Sequence, residues 1–146
     1  MAQQIFPFLD PQAVTVPVRT LPVAREIKWD FVRDHPVYQG GQPVFVERAE
    51  AVAVWAWNAL HTERWRWPLF TGNYGSEIDS LIGQTWSEDY KRAEVRRYVT
   101  ECLMASPYVK RLDNMTVDFQ AGKLTVKFDL VSIYGMVQME IGRAHV

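Results

Sequence analysis

The sequence predicts an α+β fold in which central helices pack on a C-terminal antiparallel sheet. Two segments in the middle of the chain, 47–61 and 87–105, carry apolar residues at helical spacing. After residue 115 apolar residues alternate with polar ones, which is typical of strands with one buried face. Helices followed by a run of strands are the pattern of an α+β domain. The length of 146 residues is that of one domain with one core.

The first residues predict an extended arm at 1–24, ahead of a single domain at 25–146. An arm of this kind is either loosely ordered or laid along another subunit, and the sequence leaves both readings open. Each proline removes a backbone donor and disfavours helix at the residue before it. Four prolines lie in this stretch: Pro7, Pro11, Pro17 and Pro22.

The domain is expected to begin with a strand at 25–31, because Ile27, Trp29 and Phe31 alternate there with polar residues. A short apolar run at 44–46 follows a glycine-containing turn. It forms either a second strand or the lead-in to the first helix.

The segment 47–61 predicts a helix because it is rich in alanine and free of glycine and proline. Its apolar residues surround most of the helix, so it is either the core helix or also faces another subunit. A short helix is expected at 75–84, closed by Gly83. Ser87 predicts the N-cap of a second long helix, since two acidic residues follow it. The apolar stripe of that helix comprises Val95, Tyr98, Val99, Cys102 and Leu103.

The last third of the chain predicts three antiparallel strands. Alternating residues at 115–119 and 124–130 flank a turn at 120–123, which is the pattern of a hairpin. A third strand is expected over 136–141. If this strand lies at the edge of the sheet, its unpaired backbone groups can accept a strand from another chain, and its outward residues Gln138 and Glu140 provide little blocking charge.

Composition excludes several functional classes. Sixteen Lys and Arg residues against seventeen Asp and Glu residues give a net charge of -1, which provides no field for attracting nucleic acid or an anionic membrane. No apolar run approaches the roughly 20 residues that span a bilayer. The single cysteine cannot form an intramolecular disulfide, so cytosolic synthesis is expected.

Catalytic and metal-binding residues are not predicted. His35, His61 and His145 are far apart in the sequence, and no Cys pair or His/carboxylate spacing resembles a zinc site. Cys102 falls in an apolar helix stripe, where a thiol is normally inert. No cofactor is expected.

The stretch "ERWRWPLFTGNYGSEI" at 63–78 combines tryptophans, adjacent opposite charges and a "YG" turn. It could line a sugar-binding cleft with Glu63 or Glu77 as the acid, as in a lysozyme-like peptidoglycan hydrolase. It could also be a rigid elbow between helices, in which Gly72 and Gly75 permit positive φ and Ser76 caps the next helix. A third possibility is a docking surface, because Trp, Tyr and Arg often anchor interfaces. Trp65 and Trp67 are two apart, so one ring could face the core and the other a partner.

Five segments in this order resemble the phage tail proteins of the baseplate wedge family. The segments are "LPVAREIKWDF", "WNALHTER", "LFTGNYGSEIDSLIG", "AEVRRYVTECLMASPYV" and "LTVKFDLVSIYG". Relatives include the sheath-initiating wedge protein of contractile tails and the baseplate component of type VI secretion systems. The resemblance implies a non-enzymatic virion protein of the tail baseplate, near the tube and spike, which supports assembly of the first sheath ring.

The resemblance also implies partners and contact residues. The Glu-Arg pair before a "YG" turn matches Glu63, Arg64, Tyr74 and Gly75, and in relatives this pair contacts the wedge core bundle. Arg64 is expected to stand exposed on a stiff support, while the alternative is that Glu63 and Arg64 pair within the fold. Trp65 and Trp67, which this sequence inserts relative to the more distant branch of the family, and Glu77 complete the expected surface. The expected partners are other wedge proteins, hub or spike proteins and the tail sheath, with six copies in a ring.

Overall fold

The computed structural model describes residues 20–144 and has the predicted α+β class. Two α-helices and a three-stranded antiparallel sheet form most of the core, and three two-stranded pairs precede them. The strands before the first helix are β1 (Arg25–Ile27), β2 (Trp29–Asp30), β3 (His35–Pro36), β4 (Tyr38–Gln39), β5 (Gln42–Pro43) and β6 (Phe45–Glu47). The later elements are α1 (Arg48–His61), a 3₁₀ turn (Ile78–Leu81), α2 (Glu88–Met104), β7 (Val109–Gln120), β8 (Lys123–Ser132) and β9 (Gly135–Ala144).

The single strand predicted at 25–31 is wrong in extent. The chain instead forms β1, which pairs with β6, and β2, which pairs with β3. The break has a local cause, because Asp30 Oδ1 accepts hydrogen bonds from the backbone N–H groups of Val32 and Arg33 at 2.9 and 3.0 Å. These bonds turn the chain and leave Phe31 exposed instead of buried. The apolar run at 44–46 ends in the predicted second strand, β6.

Asp34 fastens the turn between β2 and β3 to α1. Its Oδ1 atom accepts the indole N–H of Trp57 at 2.9 Å and that of Trp29 at 3.0 Å. These two hydrogen bonds favour the ionised carboxylate and lower the pKa of Asp34 below its ordinary value. One oxygen atom therefore connects the N-terminal hairpin to the helix.

The helix α1 is buried on most sides, as its sequence predicts. Four consecutive residues, 51–54, are buried, and a helix with a single apolar face would not bury four in a row. The helix packs against β1 and β6 on one side and against α2, β8 and β9 on the others. It is the core helix of the described chain.

The helix α2 confirms both its predicted cap and its predicted stripe. Ser87 Oγ accepts the backbone N–H of Tyr90 at 3.3 Å, and all five predicted stripe residues are buried. The opposite face is charged, and Arg97 bonds Glu94 at 2.6 Å and Glu101 at 3.0 Å. The helix packs on β7 and crosses α1, which places its C-terminal half beneath the segment that follows α1.

The three-stranded sheet has the order β7-β8-β9, with the predicted hairpin turn at Ala121 and Gly122. The strand β7 begins at Val109, six residues before the predicted start. Alternate residues of β8 are buried, namely Leu124, Val126, Phe128 and Leu130. The strand β9 pairs with β8 without a register shift, whereas the pairing of β7 with β8 shifts twice.

Most of the arm predicted at 1–24 lies outside the described residues. Its last residues attach to the sheet end, where the Tyr108 hydroxyl donates to the Pro22 carbonyl at 2.8 Å. The backbone N–H of Ala24 donates to the Tyr134 hydroxyl at 3.0 Å, and Ala24 is buried. Residues 20–24 form no strand or turn.

The prediction of a short helix over 75–84 is wrong in extent and in type. The structure has a single 3₁₀ turn at Ile78–Leu81. Ser76 does not cap it, because the capping position is Glu77 and the Ser76 hydroxyl donates to the Leu60 carbonyl at 2.9 Å. Ser76 is buried beneath the end of α1, so its hydroxyl satisfies a helix C-terminus instead of starting a helix.

Candidate partner-binding surface

The segment 62–77, called the elbow below, is closed at its base by backbone hydrogen bonds. The Ser76 N–H donates to the Thr62 carbonyl at 2.9 Å, and the Arg64 N–H donates to the Ser76 carbonyl at 3.1 Å. The Thr62 hydroxyl also donates to the Asn58 carbonyl in the last turn of α1 at 2.7 Å. The two ends of the elbow are therefore held side by side at the end of the helix.

Gly75 makes this closure possible. Its φ of +103° is a conformation that side chains rarely adopt, and a Cβ atom there would lie 2.8 Å from the Thr62 carbonyl oxygen. Gly72, which the sequence marked as a second positive-φ site, is not among the positive-φ glycines of the described chain. The left-handed residue at the start of the elbow is Trp65, with φ of +65°. Of the two glycines expected to have positive φ, only Gly75 does.

Arg64 does not stand exposed as expected, since only 21% of its side chain is accessible. Its Nη1 atom lies 3.2 Å from Glu77 Oε1 and 4.0 Å from Glu101 Oε2. Its Nε donates to the Gly72 carbonyl at 2.6 Å. Arg64 therefore joins the two arms of the elbow to each other and to α2. The alternative of a Glu63–Arg64 pair is also wrong, because Arg64 pairs with Glu77.

The outer side of the elbow is aromatic and accessible. Trp65 and Trp67 are 67% and 52% exposed, so neither ring enters the core and the expected division between core and surface is wrong. The Arg64 guanidinium lies 4.5 Å from the ring centre of Trp65. Arg66 lies 5.5 Å from that of Trp67 and pairs with Glu63 at 2.8 Å. Stacked arginine and tryptophan side chains in solvent form the kind of surface that anchors interfaces.

Tyr74 connects the elbow to the core. Its ring meets Trp55 edge-on at a centroid distance of 6.2 Å and Phe70 at 4.6 Å. Burial raises the pKa of Tyr74 above its ordinary value. Tyr74 is therefore half-buried support for the elbow, with less surface to offer than the two tryptophans.

Beneath the elbow lies Cys102, which is buried in α2. Burial raises the pKa of its thiol to about 12, while Arg64 and the Gly75 backbone act in the opposite direction. A thiol with this pKa is protonated at neutral pH and is a poor nucleophile. The predicted inert packing role is consistent with this environment.

The strand β9 forms an edge of the sheet, because β8 is its only strand partner within the described residues. Gln138 and Glu140 are exposed, as predicted, and the Glu140 carboxylate lies 3.7 Å from Lys127 Nζ on β8. The opposite edge strand, β7, has a register shift between Asp113 and Thr116, with Asn114 at φ of +51°. Bulges hinder strand addition, so β9 is the edge better suited to accept a strand.

Sequence reasoning missed several exposed apolar residues and a groove. The exposed residues include Leu69 and Phe70 within the elbow and, later in the chain, Ile82, Trp86 and Tyr90. No periodic pattern marks them, because they lie in irregular backbone or at the start of a helix. The groove, with a volume of about 470 Å³, brings together Glu26, Trp55, Tyr74 and Tyr108 from four parts of the chain. Only the fold shows that these residues are neighbours.

Within residues 20–144, no three His, Cys, Asp or Glu side chains are arranged to hold a metal ion. Among the helices of the same range, none is long and apolar enough to cross a bilayer.

Comparison with known proteins places the chain in a class, the structural proteins of contractile, phage-tail-like particles. The chain belongs to the contractile injection system sheath initiator family, whose model matches residues 25–135. The match includes the whole elbow and the strands β7 and β8. The chain is also 25% identical over 92 residues to the phage-like element PBSX protein XkdS of Bacillus subtilis (strain 168). That alignment covers 62% of this chain and 65% of the relative, slightly less than two thirds of its length.

Proposed function

We propose that this protein is a wedge subunit of a tail baseplate, near the tube and spike, on which the first sheath ring assembles. The observation that carries the proposal is the family match over residues 25–135. In this proposal several copies, six in a ring, contact other wedge proteins and the hub or spike. Assembly takes place in the host cytoplasm, and neither nucleic acid nor membrane is a partner.

The edge strand β9 supplies the sheath contact in this proposal. A strand added along β9 would bond to backbone groups that β8 leaves unpaired, and it would extend the sheet to four strands. The regular register of β9 offers such a strand ten residues, 135–144, without a bulge. Backbone bonding requires little of the partner's sequence, which suits a surface that starts a polymer of another protein.

The outer side of the elbow supplies the contact to neighbouring wedge or hub proteins. Trp65 and Trp67 are accessible there, with Arg66 and Glu63 beside them. Interface hot spots are enriched in Trp and Arg, so these residues would carry much of the binding energy. Arg64 and Glu77 would act indirectly in this contact by holding the elbow in shape.

Binding without catalysis is part of the proposal. Glu63 pairs with Arg66 and Glu77 pairs with Arg64, so neither is the isolated acid in an apolar pocket that a glycosidase needs. Among the described residues, the groove is lined by a single carboxylate, Glu26, where the usual mechanism needs two. Incubation with purified cell walls tests this point, because release of soluble sugar by the purified protein would favour the hydrolase.

The sheath contact is tested by placing lysines on the edge. Met136→Lys/Gln138→Lys adds charge to exposed positions of β9, and position 138 faces Asp129 across the strand pair, so the fold should tolerate the change. We expect the variant to fold normally and to yield particles with the baseplate but without sheath, seen by electron microscopy. Gln39→Lys, on an exposed hairpin, is the matched control and should assemble normally. Fully sheathed particles from the edge variant would contradict the β9 contact.

A further inference from the structure

The groove of about 470 Å³ has aromatic and apolar walls from distant parts of the chain. Glu26 comes from β1, Trp55 from α1, Tyr74 from the elbow and Tyr108 from the segment after α2. Val52 and Pro107 belong to its apolar lining. Aromatic-lined grooves of this kind bind extended proline-containing segments, because such segments lose little conformational entropy on binding.

One charged side chain in this groove has no partner in the described chain. Glu26 is half-buried, and within residues 20–144 its carboxylate makes no salt bridge or side-chain hydrogen bond. Burial raises its pKa, because the charged form is poorly solvated there. The other charged residue in the lining, Arg25, lies with its guanidinium 4.1 Å from the ring centre of Phe45. An occupant that brought a positive charge to Glu26 would therefore relieve an unfavourable burial.

The chain itself contains a segment of complementary chemistry. Residues 14–19 read "VTVPVR", with three valines, one proline and a basic residue at the end. If the segment binds as a β-strand, Pro17 and Arg19 would point to the same side, because side chains alternate along a strand. Pro17 can then pack on an aromatic ring of the groove while Arg19 reaches Glu26.

The groove of the same copy is poorly placed to receive this segment. The groove is lined by residues 23–26, which directly follow the segment, so the chain would have to reverse its direction at 20–22. Residues 20–24 contain no turn, and the Pro22 carbonyl is held by the Tyr108 hydroxyl. Proline also biases Leu21 toward extended backbone. The described residues 20–24 therefore provide no turn that would return the chain to its own groove.

We propose that residues 14–19 of one copy occupy the groove of a second copy, with Arg19 of the first paired to Glu26 of the second. This proposal rests on the proposed function only in requiring several copies side by side. Arg19 lies three residues before Pro22, whose carbonyl the Tyr108 hydroxyl holds, and three residues can span about 10 Å, so the groove of the second copy has to lie within about that distance of Pro22 in the first. The contact is head-to-tail, and a head-to-tail contact closes into a ring when the rotation permits.

A peptide experiment tests the recognition itself on the full chain. A fluorescently labelled peptide with the sequence of residues 12–21 is titrated with the purified protein, and binding is read by anisotropy. We expect saturable binding that Glu26→Gln weakens at least about tenfold, since a partly buried charge pair loses one member. Glu47→Gln, on an exposed carboxylate at the start of α1, is the control and should bind normally. No binding, or equal binding by the Glu26→Gln protein, overturns the proposal.

Charge exchange and crosslinking test whether residues 14–19 bind the groove of their own copy or that of a second copy. A peptide with Arg19→Glu should bind poorly to the native protein and regain affinity for Glu26→Lys. Arg19→Cys and Glu26→Cys proteins, mixed and oxidised, should form a disulfide-linked heterodimer. In the double variant Arg19→Cys/Glu26→Cys, linked dimers and higher rings support the proposal, whereas only internally linked monomers overturn the choice of a second copy. These measurements need no assembled particle, so they stand apart from the sheath test on β9.

Discussion

The elbow and the edge strand β9 are two surfaces of the same domain that offer different chemistry. The elbow presents side chains, Trp65 and Trp67, on a loop whose base is held by backbone bonds and by Arg64. The strand β9 presents its backbone, in a regular register along its whole length. A side-chain surface can discriminate between partners, and a backbone surface can accept many sequences.

In the elbow, the residues that hold the loop in place differ from the residues that are accessible to a partner. In the elbow, the charged residue that the sequence singles out, Arg64, lies inside, and the accessible residues are the tryptophans beside it. In β9 the same backbone that forms the sheet also forms the surface. Substitutions in the elbow should therefore divide into those that affect folding and those that affect binding.

The largest effect is expected for Gly75→Ala. The new Cβ atom would lie 2.8 Å from the Thr62 carbonyl oxygen. The alanine would also have to adopt the glycine's φ of +103°. We expect a loss of about 2 to 4 kcal/mol in the free energy of unfolding, measured with urea, because strain and a backbone clash add.

Gly83→Ala provides the matched control for that measurement. Gly83 has φ of +76°, but no atom lies within 4 Å of the added Cβ. Strain alone should cost about 1 kcal/mol. Equal losses for the two variants would show that the closure of the elbow contributes nothing beyond backbone strain.

Arg64→Ala should have the next largest effect. The side chain is mostly buried and bonds both Glu77 and the Gly72 carbonyl, so its removal leaves two acceptors without this donor. We expect a loss of about 1 to 2 kcal/mol in unfolding free energy by urea titration. Arg66→Ala removes an exposed pair and should cost less than about 1 kcal/mol. If the two variants were equally stable, Arg64 would not be a structural residue of the elbow.

Trp65→Ala/Trp67→Ala should barely change stability. Both rings are mainly in solvent, so we expect a change within about 0.5 kcal/mol in unfolding free energy. Particle assembly in cells should nevertheless fall sharply, because the anchors of the proposed wedge contact are gone. Leu69→Ala, another exposed residue of the elbow, is the control for general loss of surface area. Normal assembly of the double variant would exclude the elbow as a contact.

The smallest effect is expected when the native protein is treated with a thiol reagent. Cys102 is buried beneath the elbow, and its raised pKa of about 12 keeps it protonated at pH 8. An aromatic disulfide reagent at that pH should react only after local opening. Gly75→Ala should react faster than the native chain, because a strained elbow opens more often. Rapid reaction of the native protein would show that the elbow does not shield α2.

The sequence predicts the elements that are long and periodic. Both helices and the three-stranded sheet follow from apolar spacing, and Ser87 marks the start of α2 correctly. The errors fall where a local hydrogen bond overrides the pattern. Asp30 interrupts the first strand by bonding Val32 and Arg33. The Ser76 hydroxyl, expected to cap a helix, bonds the end of another.

The candidate site was less predictable than the fold. The resemblance points to Arg64 and Gly75 as contact residues, but the intramolecular partner of Arg64 lies thirteen residues away and is found only from the fold. Glu26 and Tyr108 line the same groove although they are far apart in the sequence, and no sequence spacing predicts that they are neighbours. Partner contacts at all of these positions remain predictions.

The hydrogen bonds of Asp34 make the fluorescence of two tryptophans sensitive to the position of the N-terminal hairpin. Two indole N–H groups, from Trp29 and Trp57, donate to the same oxygen atom. Any event that moves the N-terminal hairpin away from α1 must break at least one of these bonds and change the emission of a tryptophan. Intrinsic fluorescence can therefore follow the docking of this hairpin without a dye. Replacing Trp65 and Trp67 by phenylalanine would remove two solvent-exposed emitters and sharpen that signal.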